Sequence, residues 1–198
     1  MKMRNNFVVH LENTMVDHVN LSNGLSLYVD TKYDEFRHRV NEGEVVFTPY
    51  NYDTEIDPGD TIYFHHLVVL NGGQKLPGYD DHYVVFYNPE TAINSQVIAY
   101  KKKDSDMVVP MDGWSILKYV EEPEKELKSD LIEIVKLEKD NTPNKGQIAF
   151  NSKDIEGLGL EVGDVVGFPN NMDYRFKIDG EEYYRVRTED LLYVEEEV

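Results

Sequence analysis

Apolar positions in this chain come in short runs. Phe7-Val-Val-His-Leu11, Glu44-Val-Val-Phe47, Thr61-Ile-Tyr-Phe64, Leu67-Val-Val-Leu70, His82-Tyr-Val-Val-Phe-Tyr87 and Val97-Ile-Ala-Tyr100 lie in the first part. Leu131-Ile-Glu-Ile-Val135, Gln147-Ile-Ala-Phe150 and Val165-Val-Gly-Phe168 follow in the second. β-Branched and aromatic residues dominate them, and turn formers such as Asp57-Pro-Gly59 and Asn71-Gly-Gly73 bound them, the signature of strands. No stretch carries apolar residues at a sustained three-four spacing, so no long helix is expected. The pattern predicts an all-β protein of small barrels or sandwiches.

Two pairs of landmarks recur in the same order. Asn41-Glu-Gly-Glu-Val-Val-Phe47 parallels Asn144-Lys-Gly-Gln-Ile-Ala-Phe150, and Asp57-Pro-Gly-Asp-Thr-Ile-Tyr-Phe64 parallels Glu161-Val-Gly-Asp-Val-Val-Gly-Phe168. A similar ending follows each, Met107 to Glu122 in the first half and Lys177 to Glu196 in the second. Shared order and spacing indicate a tandem repeat. The expected division is a first domain over 1–122, a charged, Pro-broken linker over 123–130 and a second domain over 131–198. Residues 65–96 have no evident counterpart and read as an inserted β-hairpin with a polar tip.

Composition narrows the function classes. The net charge is −18, the wrong sign for a nucleic-acid footprint or for binding an anionic membrane. There is no cysteine, which removes disulfides, thiolate catalysis and Cys-based zinc sites. The start of the chain shows neither a signal peptide nor a spanning segment, so a cytoplasmic protein is expected.

Lys145-Gly-Gln-Ile148, Leu160-Glu-Val-Gly-Asp-Val-Val166, Phe176-Lys-Ile-Asp-Gly-Glu-Glu-Tyr183 and Glu189-Asp-Leu-Leu192 resemble the body of a GroES-type co-chaperonin subunit, of the chaperonin-10 family. The resemblance covers about a quarter of the chain well and the first half in outline, by the landmark comparison. It implies two small GroES-like β-barrels in tandem, possession of a loop that docks on a GroEL-type chaperonin, and assembly as a homo-oligomeric ring. Tandem and phage-encoded members exist in that family. The resemblance places the docking segment at Leu25, Ser26 and Leu27, after Gly24. The same residues also read as an ordinary strand with alternating burial, Leu25 to Val29. The second half has Lys139 to Lys145 in place of such a loop. Subunit pairing would fall to Phe7, Val8 and Val9 with Leu191, Leu192 and Val194. The role needs no cofactor and no catalysis. The alternative is a virion structural or assembly protein, a head or ring component built on the same barrel, which the Tyr-rich composition also suits.

Other constellations carry less. His65 and His66 are adjacent, so on a strand they would face opposite sides, and a metal would need one of them together with His82 across a hairpin. A structural or surface role is the plainer reading. Asp57 to Asp60 and Asp104 to Asp106 fit turn chemistry. Lys101 to Lys103 reads as a solvated strand end, and Trp114 as a buried anchor. No Gly-x-Ser-x-Gly, phosphate loop or dinucleotide fingerprint occurs, so an enzyme is not expected.

Overall fold

The computed structural model describes residues 2–12, 18–28, 39–69, 74–90, 95–120 and 144–195. The expected linker, the Leu131–Val135 run and the tail beyond Glu195 lie outside the described residues. The protein is all-β, as the pattern predicts, with two antiparallel six-stranded sheets and a separate two-stranded one.

The first sheet is built from β1 (Asn6–His10), β4 (Glu42–Phe47), β5 (Thr61–Phe64), β6 (His82–Phe86), β7 (Val97–Lys101) and β8 (Val108–Pro110), in the order β6-β1-β4-β5-β7-β8. The second is built from β9 (Trp114–Tyr119), β10 (Asn144–Ile148), β11 (Val165–Phe168), β12 (Tyr174–Ile178), β13 (Glu181–Arg187) and β14 (Tyr193–Val194), in the order β12-β13-β9-β10-β11-β14. A short helix, α1 (Lys153–Gly157), precedes β11, capped by Ser152 whose side chain accepts from Ile155 N. β2 (His18–Asn20) and β3 (Ser26–Tyr28) form a hairpin of their own.

The landmark repeat is a repeat of pairing. Val9 opposes Val45 and His10 opposes Glu44, as Leu117 opposes Ile148 and Lys118 opposes Gln147. Gly43 opposes Ile62 and Gly146 opposes Val166. The matched glycines have a packing reason. A Cβ on Gly43 would meet Val9 Cβ at 2.9 Å, and one on Gly146 would meet Leu117 Cβ at 2.8 Å, so neither position admits a side chain without displacing the neighbouring strand. The matched Gly-Asp turns are alike too. Asp60 Oδ2 accepts from Asp57 N at 2.8 Å and Asp164 Oδ2 from Glu161 N at 2.9 Å. Gly59 and Gly163, at φ +94° and +107°, occupy the left-handed region that glycine enters at no steric cost.

Three sequence expectations change. The two endings are not counterparts: Trp114–Tyr119 is β9, in the middle of the second sheet, where it corresponds to β1. The chain passes from the first sheet to the second through a tight turn, with Trp114 N donating to Met111 O at 3.0 Å, well before the expected linker. Residues 65–96 are not an addition to the fold, because their strand β6 flanks β1 as β13 flanks β9. Finally, neither sheet closes into a barrel; each keeps two edge strands. Part of the outer face of the first sheet is covered instead by the second.

That contact is a core in its own right. Tyr63, Ile98, Ala99 and Val108 of the first sheet pack with Ile116, Tyr174, Phe176, Ile178 and Tyr183 of the second. The larger core of the first unit lies on the opposite face, around Phe7, Val9, Ile62, Phe64 and Val85. Its smaller counterpart in the second unit gathers Leu117, Ile148, Ile155, Val166, Phe168 and Val186. Polar ties flank the seam: Asn41 Nδ2 donates to Lys177 O at 2.9 Å, and Lys101 Nζ pairs with Asp179 at 2.7 Å.

Candidate docking hairpin and sheet edges

Among the described residues the β2–β3 hairpin is bonded to neither large sheet. Val19 opposes Leu27 and Asn20 opposes Ser26. Leu21 N donates to Leu25 O at 2.8 Å, Gly24 N donates back to Leu21 O at 3.0 Å, and Gly24 has φ +80°. A tight turn followed by a left-handed glycine is a standard three-residue hairpin connection. Leu25 N donates to Asn23 Oδ1 at 3.1 Å, fixing the tip further.

Leu25 and Leu27 are 63% and 56% exposed, and Leu21 is 44% exposed. Strand geometry and exposure therefore coexist: Ser26 and Leu27 lie on a strand, yet the leucines are not buried by it. Leu21 escaped sequence reasoning. Its signal was present in Asn23-Gly24 between two short strand-forming runs, which marks a hairpin and so implicates both of its arms.

The expected pairing residues behave differently from one another. Phe7, Val8 and Val9 are fully buried, and β1 is bonded to β4 on one side and β6 on the other. With both edges filled, β1 has no free backbone to offer a neighbouring subunit. Among the described residues β14 is bonded on one side only, to β11. Tyr193 and Val194 on it, and Leu192 just before it, are exposed, while Leu191 packs against the second unit's core. Two of the other edges, β6 and β12, are better covered. Gln96 bonds Phe86 N and O on β6, and the side chains of Arg39 and Asn41 reach the carbonyls of Arg175 and Lys177 on β12.

His65 and His66 do not meet His82, whose ring lies beside that of His10, 5.2 Å away. His66 opens a 3-10 turn over His66–Val68 rather than continuing β5, so its ring stacks on that of His65 at 4.5 Å instead of facing away from it. His66 is buried, and its N and Nδ1 both bond Tyr174 Oη, at 3.0 and 2.9 Å. His82 sits across from His10 in the β1–β6 ladder. Among the described residues no group of three or more His, Asp or Glu is arranged to hold a metal. Trp114 is buried under the Arg185 guanidinium, 4.1 Å from its ring. Burial pushes that guanidinium down to about 10, which leaves it charged at neutral pH. Lys101 and Lys102 turn to Asp179 and to Asp57 and Asp60.

A cleft of about 420 Å³ opens beside the seam, with Glu42, Tyr63, Lys101, Lys177 and Asp179 in its walls. Burial, with the neighbouring Asp179 charge, holds the Glu42 carboxyl above its ordinary range. The walls carry both charge signs, and Lys101 and Asp179 there are already engaged with each other. No described helix is long and apolar enough to cross a membrane. No family model matches the chain, and no curated protein matches it.

Proposed function

We propose that this protein is a co-chaperonin-like cap for a GroEL-type chaperonin, made of two divergent, open GroES-like domains in tandem and assisting protein folding in the cytoplasm. The observation that carries this reading is the detached hairpin, which presents Leu25 and Leu27 to solvent. Residues 19–29 contain no charged side chain in a chain of net charge −18, so an apolar partner meets no charge from this segment. Docking of an exposed strand segment supplies affinity through buried apolar area. A single such contact is weak, and a homo-oligomeric ring presenting several copies raises the avidity. The role involves no catalysis and no cofactor.

Since β1 is filled on both sides, ring contacts would fall to the open β14 edge with Leu192 and Val194. The test is co-sedimentation of the full chain with a GroEL-type chaperonin, with and without ATP. Wild type is expected to co-sediment, and Leu25→Asp with Leu27→Asp to abolish it. Binding unchanged in the double variant would remove the hairpin from the contact.

The open, apolar β14 edge favours a second reading, a virion head or ring component that assembles through that strand. Finding the protein in purified particles would support it. Rescue of a co-chaperonin deletion by this chain would exclude it as the main role.

A further inference from the structure

Arg185 on β13 pairs with Tyr174 of β12 on one side and Ile116 of β9 on the other. Paired residues share a face, so its side chain rises on the side of the second sheet that packs on the first, where Tyr174 and Ile116 are buried. Trp114, two residues before Ile116, takes the same face. The guanidinium carbon sits over both rings, 4.1 Å from the centre of Trp114 and 5.0 Å from that of Tyr174. A guanidinium is flat, and its five N–H groups point outward in its own plane. Stacking on rings uses its faces and leaves those donors unspent. Among the described residues no hydrogen bond or ion pair engages them, and Arg185 Nε is buried without an acceptor. Trp114 Nε1, on a side chain only 6% exposed, is a second buried donor with no acceptor.

Other arginines on these two strands are paired: Arg175 holds Glu182, and Arg187 holds Glu189. Burial lowers the Arg185 pKa, and the charges that act on it besides are Tyr174 and Arg187, with no carboxylate among them. Nearly all buried polar groups in native proteins are bonded, and this cation lacks an anion in a chain of net charge −18. We infer that Arg185, with Trp114 Nε1 beside it, is a binding site for a small organic carboxylate on a flat apolar body. A carboxylate matches the guanidinium fork through two parallel N–H···O bonds. The flat body suits a fork framed by two rings, which offer stacking area. Net charge selects the monoanion, because the field of the whole chain opposes a dianion or a polyphosphate more strongly. A second guanidinium, that of Arg39, lies 5.2 Å from the same Tyr174 ring and adds positive charge to the approach. The site does not depend on the co-chaperonin reading.

Trp114 is the only tryptophan in the chain, so its fluorescence reports on this site. The full chain is titrated with benzoate at constant ionic strength, with excitation beyond the tyrosine band, and the melting temperature is followed in parallel. A saturable change in Trp114 emission is expected, together with a rise in melting temperature, as binding to the folded state requires. Benzamide, which keeps the ring without the charge, and inorganic phosphate should produce neither. Arg185→Gln should weaken benzoate binding about tenfold or more, as loss of a bidentate charged pair implies. Arg187→Gln should stay within about twofold of wild type, the scale of an exposed charge. A wild-type chain that gives no saturable response to benzoate would overturn the site. Unchanged affinity in Arg185→Gln, or equal weakening in Arg187→Gln, would remove Arg185 as its anchor. An equal response to benzamide or phosphate would overturn the carboxylate assignment, since a ring or any anion would then suffice. Should Arg185→Gln melt early, Arg185→Lys decides, because it keeps the charge and loses the fork. Weaker binding is expected there, and wild-type affinity would count against the site.

Discussion

The strand pair β4–β5 and its counterpart β10–β11 are bonded in the same register and closed by the same turn, but they meet different surroundings. In the first unit Tyr63 opposes Ala99, and the large ring is fully buried in the seam. In the second unit the sizes are exchanged: Gly167 occupies the place of Tyr63, and the opposing residue is Tyr193. A Cβ on Gly167 would lie 2.3 Å from the Tyr193 ring, which is itself 39% exposed. The flanking charges are exchanged as well. Glu42 and Lys101 beside the first pair become Lys145 and Glu195 beside the second. Lys101 reaches across the seam to Asp179, whereas Lys145 and Glu195 pair within their own sheet. Strand pairing is thus set by a few positions common to both units, while the neighbour each face accepts is set by the size of one residue pair and the sign of another.

Removing the seam ring should have the largest effect. Tyr63→Ala empties a fully buried site shared by both sheets, and large aromatic-to-alanine changes in cores cost about 3–5 kcal/mol. Tyr193→Ala removes a ring already half in water and should cost about 1 kcal/mol, the ordinary range for such sites. Urea unfolding with unchanged m-values reads both. Equal costs would break the comparison, because Tyr63 would then be no more central than its exchanged partner.

The matched glycines sharpen it. Gly43→Ala and Gly146→Ala each force a methyl group against the neighbouring strand, at Val9 and Leu117 respectively. Overpacking of this kind costs about 1–3 kcal/mol, and the two costs should agree to within about 0.5 kcal/mol if the sites are equivalent. A large cost at only one of them would show that the shared register does not carry shared packing.

How far the chain discloses itself follows the same division. Asn41 to Phe47 and Asp57 to Phe64 were readable against their second copies, because a glycine under a neighbouring strand and an aspartate closing a turn are local requirements with few substitutes. β9 was not. Trp114-Ser-Ile-Leu-Lys-Tyr119 looks like the closing strand near Leu191–Val194, since both are short apolar runs before an acidic stretch, and nothing in such a run names its partner strand. β6 reads as an addition because its sequence departs from that of β13 even though its pairing does not. At the hairpin, Leu25 and Leu27 were legible as candidates. Their exposure was not, as an apolar residue on a strand can face either core or solvent, and Leu21 becomes visible only when the two arms are placed side by side.

The smallest expected effect concerns the two turns. Asp60 is almost fully buried, and burial alone would raise its carboxyl. That is outweighed by hydrogen bonds from the Asp57 and Lys103 backbone N–H groups and by the Lys102 ammonium, so the carboxyl is held below its usual range. Its counterpart Asp164 accepts from Glu161 N, and no lysine pairs with it among the described residues. A carboxyl whose folded pKa is lowered contributes stability that is fully present above its unfolded value of about 3.9 and is lost as pH falls through the folded value. Asp60→Asn should therefore cost about 1 kcal/mol at pH 7, the net worth of a hydrogen bond, and should flatten the fall in unfolding free energy between about pH 5 and pH 3. Urea unfolding across that window reads the slope. Asp164→Asn at pH 7 should cost less, since its side chain closes the turn without a lysine ammonium or a second backbone donor. If Asp60→Asn leaves the acid slope unchanged, the Lys102 ammonium and the Lys103 N–H decorate the turn rather than hold its charge, and the two turns are as alike in energy as they are in shape.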